Sequence, residues 1–174
     1  FTAPMLIDDY DLISTPINYS SYQVRAIDGQ KHNVQICFST NPLQAVNRDS
    51  QPTITSTGTE KGIHYVRTGT IEQPILAKSG DGICIDWGYF YMPAINGQVV
   101  MGQGHDAERS FKRRGTIAVL QSEKAIVARK PSEMPGMAYT HNFGLVKTAS
   151  SFTMLGYDEI EDIEYFHHRY KGYW

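Results

Sequence analysis

Apolar and polar residues alternate along most of this chain, and this alternation is the feature that most constrains its fold. In the run VQICF, Val34, Ile36 and Phe38 fall on one face of an extended chain, and the residues around them fall on the other. A period of two is typical of a β-strand with one buried face, whereas the 3.6-residue period of an amphipathic helix is scarce here. The pattern therefore predicts a protein built mainly of β-sheet.

Turn-forming residues separate the alternating runs. Asp28-Gly29 and Asn96-Gly97 are the strongest signals, because asparagine, aspartate and glycine tolerate a positive φ. About ten strand-like runs, with a turn signal about every eight to twelve residues, are typical of a β-sandwich or barrel. We predict an all-β fold: a large, supersandwich-like antiparallel β-sandwich over residues 1–156, with one C-terminal helix.

Two local expectations follow from the same pattern. Asp28-Gly29 separates strand-like runs at residues 19–27 and 32–38, so we expect a β-hairpin there. Residues 102–110 are rich in glycine and polar side chains and are expected to form a loop. The cations at residues 112–114 are then expected on a solvated loop or an edge strand.

The final segment, YDEIEDIEYFHHRYKGYW, carries the prediction of a helix. Acidic residues crowd its start and basic residues its end, an order that complements the helix macrodipole. Ile160, Ile163 and Phe166 recur at three-residue steps and would form an apolar stripe. We predict a helix and connecting strap over residues 157–174 that packs against another domain. The side chains expected at that contact are Tyr165, Phe166, Tyr170, Tyr173 and Trp174.

The first residues of the chain and its charge bear on the class of protein to which it belongs. The chain starts FTAPML, without an initiator Met, and we interpret it as a segment of a longer polypeptide. A formal net charge of −2 and a single cationic cluster, FKRRG, favour no nucleic-acid partner. No apolar run is long enough to span a bilayer, so no membrane partner is expected either.

Metal-binding and redox signals are sparse. The two cysteines, Cys37 and Cys84, lie in apolar, strand-like sequence, which fits either two buried thiols or one disulfide. On a helix, Glu164 and His168 would lie four residues apart and could share one ion. Two ligands are too few for a structural zinc site, which takes about four. We expect no metal and no cofactor.

One polar segment could carry catalysis. GQGHDAERS contains His105, Asp106 and Glu108, which could serve as acid and base, and Asp86 is a further carboxylate candidate. A self-contained hydrolase would require these groups to converge in one cleft. Such neighbours are also common on inert loops.

An aromatic row offers a binding hypothesis. In IDWGYFYMPA, a strand would place Trp87, Tyr89 and Tyr91 on one face. The three rings could stack against sugars in a carbohydrate-binding module, or they could fill the core or a domain interface. A glycan platform requires exposed, coplanar rings, and buried rings would exclude it.

Four stretches, in chain order, resemble the glutaminase A-type family. APMLIDDYDLISTPINYSSYQVRAIDGQKHNVQICF resembles the lead-in and first strands of that family, and LAKSGDGICIDWGYFYMPA resembles its Ile-Asp-Trp-Gly-Tyr stretch. MAYTHNFGLV is similar to a late strand, and LGYDEIEDIEYFHHRYKGYW is similar to the exit segment. The resemblance covers nearly the whole chain and is weakest around residues 98–135.

The resemblance implies a β-sandwich domain N-terminal to an α-helical toroid in a larger microbial protein that is periplasmic or secreted. The catalytic machinery, for glutamine amide hydrolysis or a glycosidase-like reaction, would then lie chiefly in the toroid. The expected partner is that C-terminal catalytic domain of the same polypeptide. The sandwich would scaffold the toroid or line its cleft, and it would not be catalytic alone.

Overall fold

The computed structural model of the chain describes residues 5–103, 106–115 and 125–172. Strands dominate these residues, and the prediction of an all-β fold is confirmed. The strands are β1 Ile17–Arg25, β2 His32–Thr40, β3 Thr53–Glu60, β4 Ile63–Thr70, β5 Tyr89–Pro93, β6 Gln98–Gln103, β7 Ile126–Ala128, β8 Pro135–Val146, β9 Thr148–Asp158, β10 Ile163–Tyr165 and β11 His168–Tyr170. The helices are α1 Tyr10–Ser14, α2 Asp106–Arg114 and the short 3-10 helices Pro42–Ala45 and Pro131–Glu133.

Two antiparallel sheets enclose the core. The larger sheet has six strands in the order β1-β9-β5-β4-β3-β7, and the smaller has three in the order β2-β8-β6. Side chains from both sheets meet in one buried cluster, as a sandwich requires. The fully or almost fully buried members are Ala45, Val66, Phe90, Met92, Met101, Met137 and Tyr139. The predicted sandwich is therefore confirmed.

The hairpin predicted at Asp28-Gly29 is wrong. Strands β1 and β2 do not pair with each other: β1 pairs with β9, and β2 pairs with β8. Arg25 lies opposite Thr148, and His32 lies opposite Val146. After residues 27–31 the chain therefore keeps its direction, pairing first with β9 and then with β8, which directly precedes β9 in the chain. The turn residues form a short loop at the point where the chain leaves the larger sheet at the end of β1 and enters the smaller sheet at the start of β2.

The predicted C-terminal helix is also wrong. Residues 163–170 form a two-stranded antiparallel hairpin, in which β10 pairs with β11. Glu164 lies opposite Arg169, so the ordered acidic and basic residues pair across strands instead of capping the two ends of a helix. The predicted boundary at residue 156 falls near the end of β9, which continues to Asp158.

Part of the stretch expected as a loop, together with the cations expected on a loop or an edge strand, forms helix α2 instead. Helix α2 places its cations, Lys112, Arg113 and Arg114, in its last turn, where they complement the dipole. Glu108 accepts from Lys112 Nζ at 2.5 Å in an i,i+4 pair. The helix lies on β2, β6 and β8 of the smaller sheet. No helix in the described part of the chain has the length and apolarity needed to cross a membrane.

Candidate functional site

The C-terminal hairpin β10–β11 stands apart from the sandwich. Among the described residues its strands hydrogen-bond to each other and to neither of the two larger sheets. All six of its strand residues are exposed. A two-stranded hairpin of this kind is marginally stable in water unless something packs against it.

The hairpin has one apolar face and one charged face. Residues directly opposite each other in an antiparallel pair share a face. Ile163 pairs with Tyr170, and Tyr165 pairs with His168, so these four side chains lie on one side, which we call the aromatic face. Sequence analysis placed Ile163 in the apolar stripe of a helix, although the period-two pattern of IEY and HRY signals the strand arrangement.

The opposite face is held by ion pairs. Arg169 Nε lies 3.3 Å from Glu164 Oε2, and Arg169 Nη1 lies 3.4 Å from Glu161 Oε2. These pairs are partly exposed, and each contributes at most about 1 kcal/mol. Their main consequence is that the charged side chains of this face pair with each other. The aromatic face has no such pairing within the hairpin.

A strained turn joins the two strands. Phe166 and His167 have φ values of 48° and 63°, the left-handed conformation that a two-residue hairpin turn requires. The β3–β4 hairpin meets the same requirement with Lys61 and Gly62, and glycine adopts this conformation without penalty. A bulky aromatic at such a position is unusual and costs about 1–2 kcal/mol. Phe166 is 77% exposed and packs edge-on against Tyr165 with ring centroids 4.5 Å apart.

The hairpin is anchored to the sandwich at its base. Trp87 Nε1 donates to the carbonyl oxygen of Glu161 at 3.0 Å, and Tyr157 Oη donates to the carbonyl oxygen of Trp87 at 2.8 Å. Gly88 has a φ of 78°, and a Cβ there would collide with the carbonyl oxygen of Asp158. Burial raises the pKa of Tyr157, and the nearby charges of acidic side chains add to the effect.

The predicted docking residues can now be placed. Tyr165, Phe166 and Tyr170 are exposed by 63%, 77% and 51%, so the described part of the chain leaves at least about half of each uncovered. Tyr173 and Trp174 lie outside the described residues. The three described side chains occupy one hairpin, although the predicted support was a helix.

The aromatic row predicted as a glycan platform is not formed. Trp87 precedes β5 and is only 8% exposed, and its indole nitrogen donates to the carbonyl oxygen of Glu161. Tyr89 and Tyr91 share the outer face of β5 and are half-buried, with their rings inclined by 70°. The three rings are therefore neither exposed together nor coplanar, and the arrangement predicted for sugar stacking is wrong.

Arg67 explains the orientation of the two tyrosines. Its guanidinium carbon lies 4.5 Å from the centroid of the Tyr89 ring, and its Nη1 donates to Tyr91 Oη at 3.2 Å. Tyr65 packs against Tyr91 with centroids 5.3 Å apart. Burial raises the pKa of Tyr91, and the hydrogen bond from Arg67 opposes that rise. Sequence analysis did not single out Arg67, which fills this outer face from the neighbouring strand.

Asp86 is a structural carboxylate. It is 2% exposed, accepts from Gln51 Nε2 at 2.8 Å and lies 3.4 Å from Lys78 Nζ. Gln51 in turn accepts from the backbone N–H groups of Asn47 and Arg48. The buried carboxylate thus ties two loops together.

The other catalytic candidates lie elsewhere. Glu108 is on α2, against the smaller sheet, where it pairs with Lys112. Asp106 begins the same helix, and His105 lies outside the described residues. Asp86 and Glu108 have different partners, and nothing in the described structure brings them together.

Both cysteines are free in the structure. Cys37 is half-buried, burial raises the pKa of its thiol, and Cys84 is exposed. The disulfide alternative and the burial of Cys84 are therefore wrong. Glu164 and His168 lie on opposite faces of the hairpin and do not share a site. The described residues contain no cluster of three His, Cys, Asp or Glu side chains able to hold a metal ion.

The fold and the hairpin define a β-sandwich domain that carries a projecting aromatic surface. Comparison with protein families matches residues 1–174 to DUF5127, described as a domain of unknown function. The chain belongs to this family. No curated protein matches it.

Proposed function

We propose that the chain is a non-catalytic β-sandwich module that docks, through the aromatic face of β10–β11, onto an α-helical catalytic domain of the same polypeptide. The observation that carries the proposal is the exposure of Tyr165, Phe166 and Tyr170 on a hairpin that pairs with neither sheet. Exposed apolar patches of this kind mark interaction surfaces.

The energetics favour a covered hairpin. Covering roughly 200 Å² of apolar surface would contribute about 5 kcal/mol at about 25 cal/mol per Å², before the costs of ordering are subtracted. The left-handed conformations of Phe166 and His167 oppose hairpin formation in the isolated chain. A partner that covers Phe166 would offset that penalty.

The identity of the partner rests on the resemblance to the glutaminase A-type family. It suggests that the parent protein is a glutaminase-like hydrolase, microbial and located outside the cytoplasm. The sandwich would scaffold the helical domain or line one side of its cleft. The placement of Asp86 and Glu108 with separate partners supports a module that is not a self-contained hydrolase.

A binding measurement tests the proposal. The chain and the helical region encoded downstream of it are produced separately, and their association is measured by isothermal titration calorimetry. We expect binding that weakens at least tenfold in the double variant Phe166→Ser, Tyr170→Ser. Tyr10→Ser is the matched control, because Tyr10 is 81% exposed on α1 and lies outside the hairpin.

Two results would overturn the proposal. One is the absence of any helical region downstream in the gene. The other is association of equal strength in the hairpin variant and in the Tyr10→Ser control.

A further inference from the structure

Strand β1 is a long edge strand with one open side. It spans Ile17–Arg25, nine residues, and lies at one end of the larger sheet. One side pairs with β9 along its whole length, and no strand among the described residues pairs with the other side. The strand at the opposite end of this sheet, β7, has only three residues. The open side of β1 is therefore the longer of the two edges that the described residues leave on the larger sheet.

Hydrogen bonds just beyond the ends of β1 show which of its backbone groups point to the open side. Tyr157 N–H donates to the carbonyl oxygen of Pro16 at 3.1 Å, and Ala26 N–H donates to the carbonyl oxygen of Lys147 at 2.8 Å. In an antiparallel pair, residues that bond to the partner strand alternate with residues that point away from it. The register between β1 and β9 has no shift, so the even-numbered residues of β1 bond to β9 and the odd-numbered ones point away. The outward-pointing residues include Tyr19, Ser21, Gln23 and Arg25.

This edge has few of the features that keep natural edge strands from pairing with other chains. Proteins protect an edge with lysine, proline, a β-bulge or a very short strand. The sequence INYSSYQVR contains no lysine and no proline, and its one charged residue, Arg25, is the last. Strand β2, at the edge of the smaller sheet, differs because a register shift interrupts it between Val34 and Gln35. Ser21 is also exposed, so solvent reaches the middle of β1.

The sequence of β1 is complementary to a second copy of itself. Two β1 strands that lie antiparallel about a two-fold axis at Ser21 pair along all nine residues, and no other antiparallel register does so. Arg25 of one copy then lies opposite Ile17 of the other, so like charges do not meet. The large ring of Tyr22 lies opposite the small side chain of Ser20. This register therefore combines the greatest overlap with acceptable neighbours across the axis.

We propose that the open side of β1 is an interface between two copies of this chain, and that it joins their larger sheets into one continuous antiparallel sheet. The interface is isologous, because each copy contributes the same strand. Tyr19 bonds through its backbone to Gln23 of the other copy, and Ser21 bonds to Ser21. Backbone hydrogen bonds supply the affinity, as in other cases of strand addition. The surface lies on a different element from the aromatic face of β10–β11, so it does not depend on the docking proposal.

Sedimentation equilibrium of the purified chain tests the proposal. We expect a reversible monomer–dimer equilibrium. Ser21→Pro should weaken it about tenfold or more, because the substitution removes both N–H groups of the pair at the two-fold axis. The Ser21 N–H points away from β9, so proline leaves the bonds between β1 and β9 intact. Ser21→Ala is the matched control, because it keeps the N–H, and it should dimerise like the parent chain.

A second substitution at the same position does not depend on how well proline is tolerated. Ser21→Lys keeps the backbone N–H and places two lysines opposite each other at the axis. Like charges directly opposite each other destabilise a strand pair. Dimerisation should weaken about threefold at low salt, and added salt should reduce the loss.

Amide hydrogen exchange locates the interface within the chain. At low concentration, the N–H groups of Tyr19, Ser21 and Gln23 should exchange fast, whereas Ser20 and Tyr22 are protected by their bonds to β9. At a concentration where the dimer predominates, exchange of the three odd-numbered amides should slow about tenfold or more. The even-numbered amides of β1 are the internal reference, because β9 protects them in both states.

Three results would overturn the β1 interface. The first is a chain that stays monomeric at millimolar concentration, and the second is equal dimerisation of the Ser21→Pro and Ser21→Ala variants. The third is a dimer that is lost in the double variant Phe166→Ser, Tyr170→Ser, since the copies would then associate through the aromatic face. Dimerisation that survives in that double variant supports the β1 interface, whatever the outcome of the docking measurement.

Discussion

The indole nitrogen of Trp87 donates a hydrogen bond to the carbonyl oxygen of Glu161 at 3.0 Å. This bond joins a residue two positions before β5 to the segment that leads into the C-terminal hairpin, 74 residues later. It holds the base of the hairpin against the sandwich while the aromatic face points into solvent. Trp87 therefore acts as an anchor.

Replacing Trp87 with phenylalanine should loosen the hairpin. The variant loses the hydrogen bond to Glu161 and part of a buried ring, which should lower the free energy of unfolding by about 1–2 kcal/mol. Amide hydrogen exchange should accelerate more in residues 159–165 than in the β3–β4 hairpin, which serves as the internal control. Equal acceleration in both segments would show that the bond has no local anchoring role.

Gly88→Ala should destabilise the protein severely. The new Cβ would collide with the carbonyl oxygen of Asp158 at a φ of 78°, so we expect a loss of about 3 kcal/mol or more in the free energy of unfolding. Gly29→Ala is the control, because Gly29 has a similar φ of 71° with no heavy atom within 4 Å of the new Cβ. Its cost should be about 1–2 kcal/mol, the conformational penalty alone. Similar losses of unfolding free energy in the two variants, measured by urea denaturation, would contradict the close approach of the Asp158 carbonyl oxygen to Gly88.

Tyr157 should make the fold sensitive to alkali. Burial raises its pKa above the ordinary value of about 10, so the folded state retains a proton that the unfolded state releases. Its contribution to stability is complete below about pH 10 and is lost as the pH rises further. The free energy of unfolding of the Tyr157→Phe variant should fall less steeply above about pH 10. The exposed Tyr10→Phe variant should follow the parent curve, and overlap of all three curves would contradict the prediction.

The purified chain should not hydrolyse glutamine. The described carboxylate candidates, Asp86 and Glu108, are paired with other groups and do not converge in a cleft. Ammonia release should match that of buffer alone in a coupled assay. Turnover that disappears in the His105→Ala or Glu108→Gln variant would identify a self-contained active site.

The sheet content of the fold could be predicted from sequence, but its connections could not. Period-two alternation reports that one face of a strand is buried, and this is why most of the strands were found. It does not report which strand is the neighbour. Asp28-Gly29 has the chemistry of a hairpin turn, yet the partners of β1 and β2 are supplied by β9 and β8, far along the chain.

The order of charged residues in the C-terminal segment explains why a helix was predicted there. Acidic residues before basic residues stabilise a helix through its dipole, but the same order stabilises a hairpin when Glu164 and Arg169 face each other. The aromatic residues of a docking surface were predicted from their clustering in the final segment, whereas the common face of Tyr165 and Tyr170 required the strand register. Tyr22 Oη lies within hydrogen-bonding distance of Tyr139 Oη and His141 Nδ1, and these contacts had no sequence signal, because Tyr22 lies 117 residues from Tyr139.

Hydrogen exchange at the hairpin is the most direct measurement of whether the aromatic face docks onto another domain. Exchange of the amides of residues 159–172 would be compared between the isolated chain and the full-length product of its gene, with β3–β4 as the reference. Docking predicts fast exchange in the isolated chain and at least tenfold slower exchange in the full-length protein, confined to this segment. Equal exchange rates in the two proteins would contradict the account.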